Sequence, residues 1–322
     1  MTALDPGRRR ALKALMAATL VPALAGLPGP AAAGRTPRVG LALGSGGARG
    51  LSHVLIFEVL EELGVVPHRI AGSSIGAIMG ALYAAGLSSR DIHDAIDTLT
   101  VAHDESWFES LLNREWTRWI KFLEPFGAKG GLMKSDAFIK FLKDIAGVGR
   151  FEELQIPLQV VATDFWERRM AVFDSGDLWP AVQGSMAMPG LFSPVTVGDR
   201  VLVDGGLTNP VPYDLLLEDC DITIAVDVLG TREPNHDNGN GGVNGAGNGN
   251  PSYFDNSFNT FQIMQFSILE EKLRRVRPDI LIRPKISNVR VLEFYRFETI
   301  FEQSRPAAEQ LHKELKALLG KH

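Results

Sequence analysis

The 322-residue chain has a single cysteine, Cys220. No internal disulfide can form, and zinc sites built on cysteine are excluded. Flanked by Glu218, Asp219 and Asp221, Cys220 reads as a small filler rather than a nucleophile. An excess of positive charge is also missing, since 33 basic side chains face 38 acidic ones for a net charge of −5. That balance excludes nucleic acid as a general partner. Long apolar runs are scarce. The N-terminal candidate, from Ala14 to about Pro28, is interrupted by Pro22 and Pro28 and falls short of the roughly 20 residues that span a bilayer. No internal repeat is present.

What stands around that apolar run is informative. Arg8, Arg9, Arg10 and Lys13 precede it and Ala31, Ala32 and Ala33 follow it, the order of a secretory signal peptide over residues 1–33. The Arg-Arg-x-Leu-Lys that begins at Arg9 resembles a twin-arginine export signal. Export to the periplasm with cleavage is the expectation, and retention of the segment as an inner-membrane anchor is its competitor. Cleavage would remove four basic side chains and one acidic one, which leaves a net charge of −8.

The whole chain is 45% apolar and 22% charged, the composition of an ordinary globular enzyme. Strand-like runs at 38–43, 69–72, 157–163, 195–203, 222–228 and 280–283 alternate with helical patterns. The first helix carries Val54, Leu55, Phe57, Val59, Leu60 and Leu63 on one stripe and stops at Gly64. A second runs through Ile78, Met79, Leu82 and Tyr83 to Gly86. This order, with crossovers of ten or more residues, predicts an α/β fold with a mainly parallel central sheet flanked by helices on both faces. Residues 88–146 read as mainly helical, with Trp107, Trp116, Trp119 and Phe122 as core packing or the wall of an acyl-chain channel. Residues 235–250 hold six Gly and six Asn, too little apolar material to fold, and read as a disordered loop. The segments 256–276 and 299–319 are amphipathic helices that return to the sheet, which gives one domain over 36–320.

Three sites carry chemistry. Gly72-Ser73-Ser74-Ile75-Gly76 matches G-x-S-x-G between a strand and a helix. There a sharp turn exposes the serine hydroxyl, and flanking glycines make room for it. Gly44-Ser45-Gly46-Gly47-Ala48-Arg49-Gly50 lies between the first strand and the first helix. It fails the spacing of a dinucleotide loop and lacks the Lys-Ser/Thr of a P-loop. Its backbone N–H groups suit an oxyanion hole, where donors must approach a charge without side chains in the way. Arg49 reads either as an aid to that loop or an anionic substrate, or as a surface ion pair. Asp204 ends the run Val201-Leu202-Val203 and precedes Gly205-Gly206. It reads as a carboxylate lining a crevice at a strand end, or as a turn-capping residue.

GSGGARG, GSSIG and DGG in this order resemble the bacterial patatin-like phospholipases. GLSHVLIFEVLEELG, SMAMPGLFSPV and DGGLTNPVP resemble the family as well, so the similarity covers roughly residues 38–228. The resemblance implies a patatin-like three-layer architecture with Ser74 as nucleophile and Asp204 as its partner. It implies an oxyanion hole of the N–H groups of Gly46, Gly47 and Ala48, supported by Gly44, Arg49, Gly50, Gly72, Gly76, Gly205 and Gly206. Ser45 stands where many relatives have glycine. The implied activity is carboxylester hydrolysis of a phospholipid or lysophospholipid at a membrane or micelle surface, with no cofactor or metal.

A triad would add a histidine. The candidates after Ser74 are His93, His103, His236, His312 and His322, and none has a favourable setting. Chain order alone would allow His312. An aspartate acting alone needs a pKa raised from about 3.9, and partial burial is the expected means. Other readings of the chain are a non-catalytic lipid-binding or regulatory protein on the same fold, a general carboxylesterase, and a nucleotide-binding protein that uses residues 44–50.

Overall fold

The computed structural model describes residues 36–101, 135–230 and 253–321. The expected signal segment, the aromatic run Trp107 to Phe122, the 235–250 loop and His103, His236 and His322 lie outside them. The chain opens with β1 (Val39–Leu43), α1 (His53–Glu62), β2 (Arg69–Ser73), α2 (Ile75–Ala84) and α3 (Ser89–Val101). After the gap come α4 (Asp136–Ala146), β3 (Leu158–Asp164), β4 (Arg169–Phe173), α5 (Leu178–Ser185), β5 (Val195–Val197), β6 (Arg200–Val203) and β7 (Ile222–Val226). The described part closes with α6 (Tyr253–Arg275), β8 (Ile280–Ile282) and α7 (Phe297–Leu319).

Among the described residues, all eight strands belong to one sheet. Its centre is parallel, with β2 and β7 on either side of β1, β3 beyond β2, and β8 beyond β7. Side-chain size alternates along these strands. Val39, Leu41, Leu43, Ile70, Val160, Ile224 and Val226 belong to the larger core, with α1, α2, α4, α5 and α7. Ala42, Ala71 and Ala225 belong to a second core with Val211, Tyr213 and Leu216, and with Leu269 and Leu273 of α6. The small residues let this second layer approach closely. A methyl on Gly40 would stand only 2.7 Å from the Cys220 sulfur, so Cys220 is a half-buried filler whose thiol is pushed up by burial. The result is the three-layer α/β architecture that the resemblance implies.

Two details of the strands differ from expectation. The stretch expected as one strand from 195 to 203 is an antiparallel hairpin of β5 and β6. It turns at Gly198, whose positive φ of 62° a side chain would oppose. Strand β4 had no sequence signal, because Arg169 opens it and its pattern of Met170, Ala171 and Val172 is short.

The hairpin decides where the chemistry falls. Thr163 pairs with Met170 of β4 and with Val203 of β6, so β6 lies on the opposite side of β3 from β4. That is the side β2 occupies lower down, at Leu158 to Val161. Since β2 is parallel to β3 and β6 antiparallel to it, the carboxyl ends of β2 and β6 meet head to head. Ser74 follows one and Asp204 follows the other.

Candidate active site

Ser74 has φ 55° and ψ −122°, a conformation costly for a residue with a side chain. Both elbow glycines are required by contact. A methyl on Gly72 would collide with the Gly76 carbonyl, and one on Gly76 would collide with the Leu43 carbonyl of β1. A buried hydroxyl restrains the turn further. Ser185, at the end of α5, accepts the Ser74 N–H at 2.9 Å and donates to the Val161 carbonyl at 2.5 Å.

The Ser74 hydroxyl donates to Asp204 Oδ2 at 2.6 Å. The other carboxylate oxygen, Oδ1, accepts the Gly206 N–H at 2.8 Å. The Asp204 carbonyl accepts from Thr163 Oγ1 at 2.9 Å and its N–H donates to Ala187 O at 3.0 Å, so both ends of the residue are fixed. At 1% exposure the carboxyl is pushed up to about 6 by burial, against the bonds from Ser74 and Gly206 that favour its charged form. Gly205 is confined as well, because a methyl there would strike the Val161 carbonyl.

The glycine loop is pinned along its length. The N–H groups of Gly44, Ser45 and Ala48 donate to the carbonyls of Val226, Pro210 and Val291. Arg49 donates to the Leu229 carbonyl and orients the loop from within. Ala48 therefore has its N–H engaged by Val291 at 2.8 Å, which removes it from the expected donor set. Gly46 and Gly47 have no hydrogen-bond partner for their N–H groups among the described residues. Gly47 lines the same pocket as Ser74 and Asp204. Gly50 packs against Ile75, the residue after the serine, and couples loop to elbow.

The pocket is about 1010 Å³, counting its open mouth, and among the described residues Ser74 and Asp204 contribute its only polar side chains. Its walls are Ile78, Met79 and Leu82 of α2, Ile92, Ala95 and Ile96 of α3, Phe138, Phe141, Leu142 and Ile145 of α4, and the segments around Met188 and Leu292. No described histidine is hydrogen-bonded to Ser74 or Asp204. His93 pairs with Asp94 and packs on Phe301, and His312 lies part-way along α7.

Sequence reasoning passed over three residues here. Ser185 lies in no motif. Gln265 of α6 is buried, accepts from Ser45 Oγ at 3.3 Å, and reaches Gly206, so that it ties the glycine loop to the turn after Asp204. His53 precedes Ser74 in the chain and is fully buried at the start of α1. Its Nε2 donates to Gly44 O at 3.1 Å while Nδ1 has no partner, and burial pushes its pKa down to about 4. It thus braces the glycine loop as a neutral ring. His53 lies upstream of the serine, and its signal in the sequence is its place three residues after Gly50, on the apolar stripe of α1.

A mostly parallel α/β sheet whose carboxyl end carries a strained serine bonded to a buried carboxylate is the architecture of a nucleophile-elbow protein. The chain belongs to the patatin-like phospholipase family, whose model it matches over residues 41–217. An uncharacterized NTE family protein of Mycobacterium tuberculosis is 36% identical over 211 residues, which are 64% of this chain and 54% of the relative. Lysophospholipase NTE1 of Kluyveromyces lactis is 29% identical over 276 residues, 82% of this chain and 18% of that protein. The chain thus spans about half the length, or less, of these curated relatives. Among solved structures, VipD from Legionella pneumophila aligns at a TM-score of 0.44 and 14% identity, over 85% of this chain and 67% of that one.

Proposed function

We propose that the chain is a lipid acyl hydrolase that cleaves a carboxylester of a phospholipid or lysophospholipid through Ser74 and Asp204. The observation that carries this reading is the 2.6 Å bond between the serine hydroxyl and a carboxylate at the polar end of an otherwise apolar pocket. Membership of the family and the likeness to a lysophospholipase support it.

In this mechanism the ester carbonyl carbon lies over Ser74 Oγ with its acyl chain in the pocket. As Oγ attacks, its proton passes to Asp204 Oδ2, and the carbonyl oxygen gains charge that the N–H groups of Gly46 and Gly47 receive. Collapse of the adduct breaks the bond to the alcohol, which takes the proton from Asp204. Water then attacks the acyl-serine, again giving its proton to Asp204, and the fatty acid leaves as the proton returns to Ser74. A raised pKa suits the aspartate to this work, because a carboxylate near 6 accepts a proton more readily than one near 4 and is still ionised at neutral pH.

The test is lipid mass spectrometry on mixed phospholipids, with labelling by a fluorophosphonate. The parent is expected to release fatty acid and to label at Ser74, while Ser74→Ala and Asp204→Asn each lose nearly all turnover. His93→Ala and His312→Ala are expected to keep most of it. The kcat/KM profile should rise to a plateau above about pH 6, as the carboxyl that burial holds near 6 ionises. A fully active Asp204→Asn enzyme would overturn the dyad.

A further inference from the structure

Helix α6 reaches toward the site at a second point besides Gln265. Lys272 follows Gln265 by seven residues, a spacing that returns a side chain to the same helix face. Leu269 and Leu273 of that helix pack into the second core, and the Lys272 side chain is only 16% exposed. Burying an ammonium is costly, and packing alone would be served by an apolar residue of similar length. Three acceptors surround its nitrogen: Asn209 Oδ1, the Val211 carbonyl at 2.6 Å, and Asp214 Oδ1. A neutral amine has two N–H groups, so the full set requires the ammonium form. The same nitrogen lies 4.6 Å from the centre of the buried Tyr213 ring, which favours the charge further.

Two of the three partners belong to the turn Asn209-Pro210-Val211, and this turn holds both halves of the site. The Asn209 N–H donates to the Gly205 carbonyl at 2.9 Å, in the turn that follows Asp204. The Pro210 carbonyl accepts the Ser45 N–H at 2.8 Å, in the glycine loop that carries Gly46 and Gly47. Val211 packs on the start of that loop, where a methyl on Gly44 would stand 3.0 Å from its Cγ2. Neighbouring residues of one turn thus support the base and the oxyanion donors. The side chain that Lys272 grips is itself fixed, since Asn209 is 4% exposed and its Nδ2 donates to Asp214 Oδ1 at 3.0 Å. The described pocket walls include no residue of this turn.

We infer that Lys272 is a positioning residue for the hydrolysis: by gripping Asn209 and Val211 it fixes the separation between Asp204 and the N–H groups of Gly46 and Gly47. This role rests on the acyl-hydrolase reading and adds to it the group that holds the two halves of the machinery in register. As Ser74 attacks, Asp204 takes a proton while the oxyanion donors receive charge, so both must be in place at the same moment. A slack turn would leave either one aligned without the other. The ester would still enter an unaltered pocket, and the loss therefore falls on kcat rather than on KM.

The test uses Lys272→Met, which keeps most of the stem and removes all three N–H groups. On a soluble short-chain ester kcat is expected to fall by about tenfold or more, with fluorophosphonate labelling of Ser74 slowed in parallel. KM is expected to stay within about twofold of the parent's. Lys272→Met also strips Asp214 of its counter-charge, so stability is followed by chemical denaturation. The double variant Lys272→Met, Asp214→Asn removes both charges and keeps an oxygen for Asn209 Nδ2. It is expected to regain stability over Lys272→Met and to keep the low kcat, which a role limited to neutralising Asp214 would not give. Should Lys272→Met fail to fold, the double variant is read in its place. Return of the parent's kcat in the double variant, or a raised KM at unchanged kcat, would overturn the inference. A parent with neither labelling nor ester turnover would overturn the hydrolase reading and this role with it, whereas an active parent whose variants keep its kcat would overturn the positioning role alone.

Discussion

At the scale of single residues, the site depends on groups that hold Ser74 in a conformation it would otherwise leave. Ser185 is the clearest, because its hydroxyl is the acceptor for the Ser74 N–H and a donor to Val161. Ser185→Ala leaves a buried donor and a buried acceptor unpaired, at a cost of about 1–3 kcal/mol. The expected outcome is a lower denaturant midpoint and slower fluorophosphonate labelling, while the pH profile keeps its midpoint because Asp204 is untouched. A variant with the parent's midpoint and labelling rate would remove Ser185 from this role. The sequence made Ser74 and Asp204 legible because each is flanked by glycines that serve contact, as at Gly72, Gly76 and Gly205. Ser185, Gln265 and His53 were not legible, since their partners are backbone groups or residues far along the chain. A hydroxyl that satisfies an amide 111 positions away leaves no local pattern.

At the scale of elements, periodicity revealed most of what was there. The short apolar run of β1 and the apolar stripe of α1 marked both, and the glycines after them marked their ends. It missed β4 and merged β5 with β6, for one reason: these antiparallel strands are short and partly exposed, and Arg169 opens β4 and Arg200 opens β6, so their apolar pattern is broken. The merger mattered, because it is the fold-back at Gly198 that turns β6 toward β2. Helices α3 and α4 have a second consequence, as they form the pocket wall that α2 faces. Ala95 is a small side chain on α3 among Ile92, Ile96, Phe141 and Leu142. Ala95→Phe should therefore fill the channel away from the serine. We expect long-chain lysophospholipid turnover to fall by about tenfold or more, the value of a few buried methylenes, with short-chain ester turnover nearly unchanged. Equal losses on both substrates would show that acyl chains run elsewhere.

At the scale of the whole molecule, the two buried titratable groups of the site act on folding in opposite directions. Burial raises Asp204 to about 6, so between its unfolded value near 4 and about 6 the native state binds more protons than the unfolded chain. Stability falls as pH rises through that window, by about 3 kcal/mol at most, and the cost persists above it. His53 is lowered to about 4, so between about 4 and its unfolded value near 6.5 the unfolded chain binds more protons. Its contribution is present above about 6.5 and is lost, again by about 3 kcal/mol at most, as pH falls toward 4. The two slopes largely cancel in the parent. Removing one should uncover the other. Asp204→Asn, which keeps an oxygen for the Gly206 N–H, should gain stability over the parent from pH 4 to 6.5 and hold that gain at pH 8. His53→Asn, which keeps a donor for Gly44, should gain most at pH 4 and lose that advantage by pH 7. Chemical denaturation of the three proteins across this range reads the differences directly. Parallel curves for parent and Asp204→Asn would show that Asp204 is ionised in the native state down to its ordinary pKa, and with it would go the argument that a buried carboxylate serves as the base.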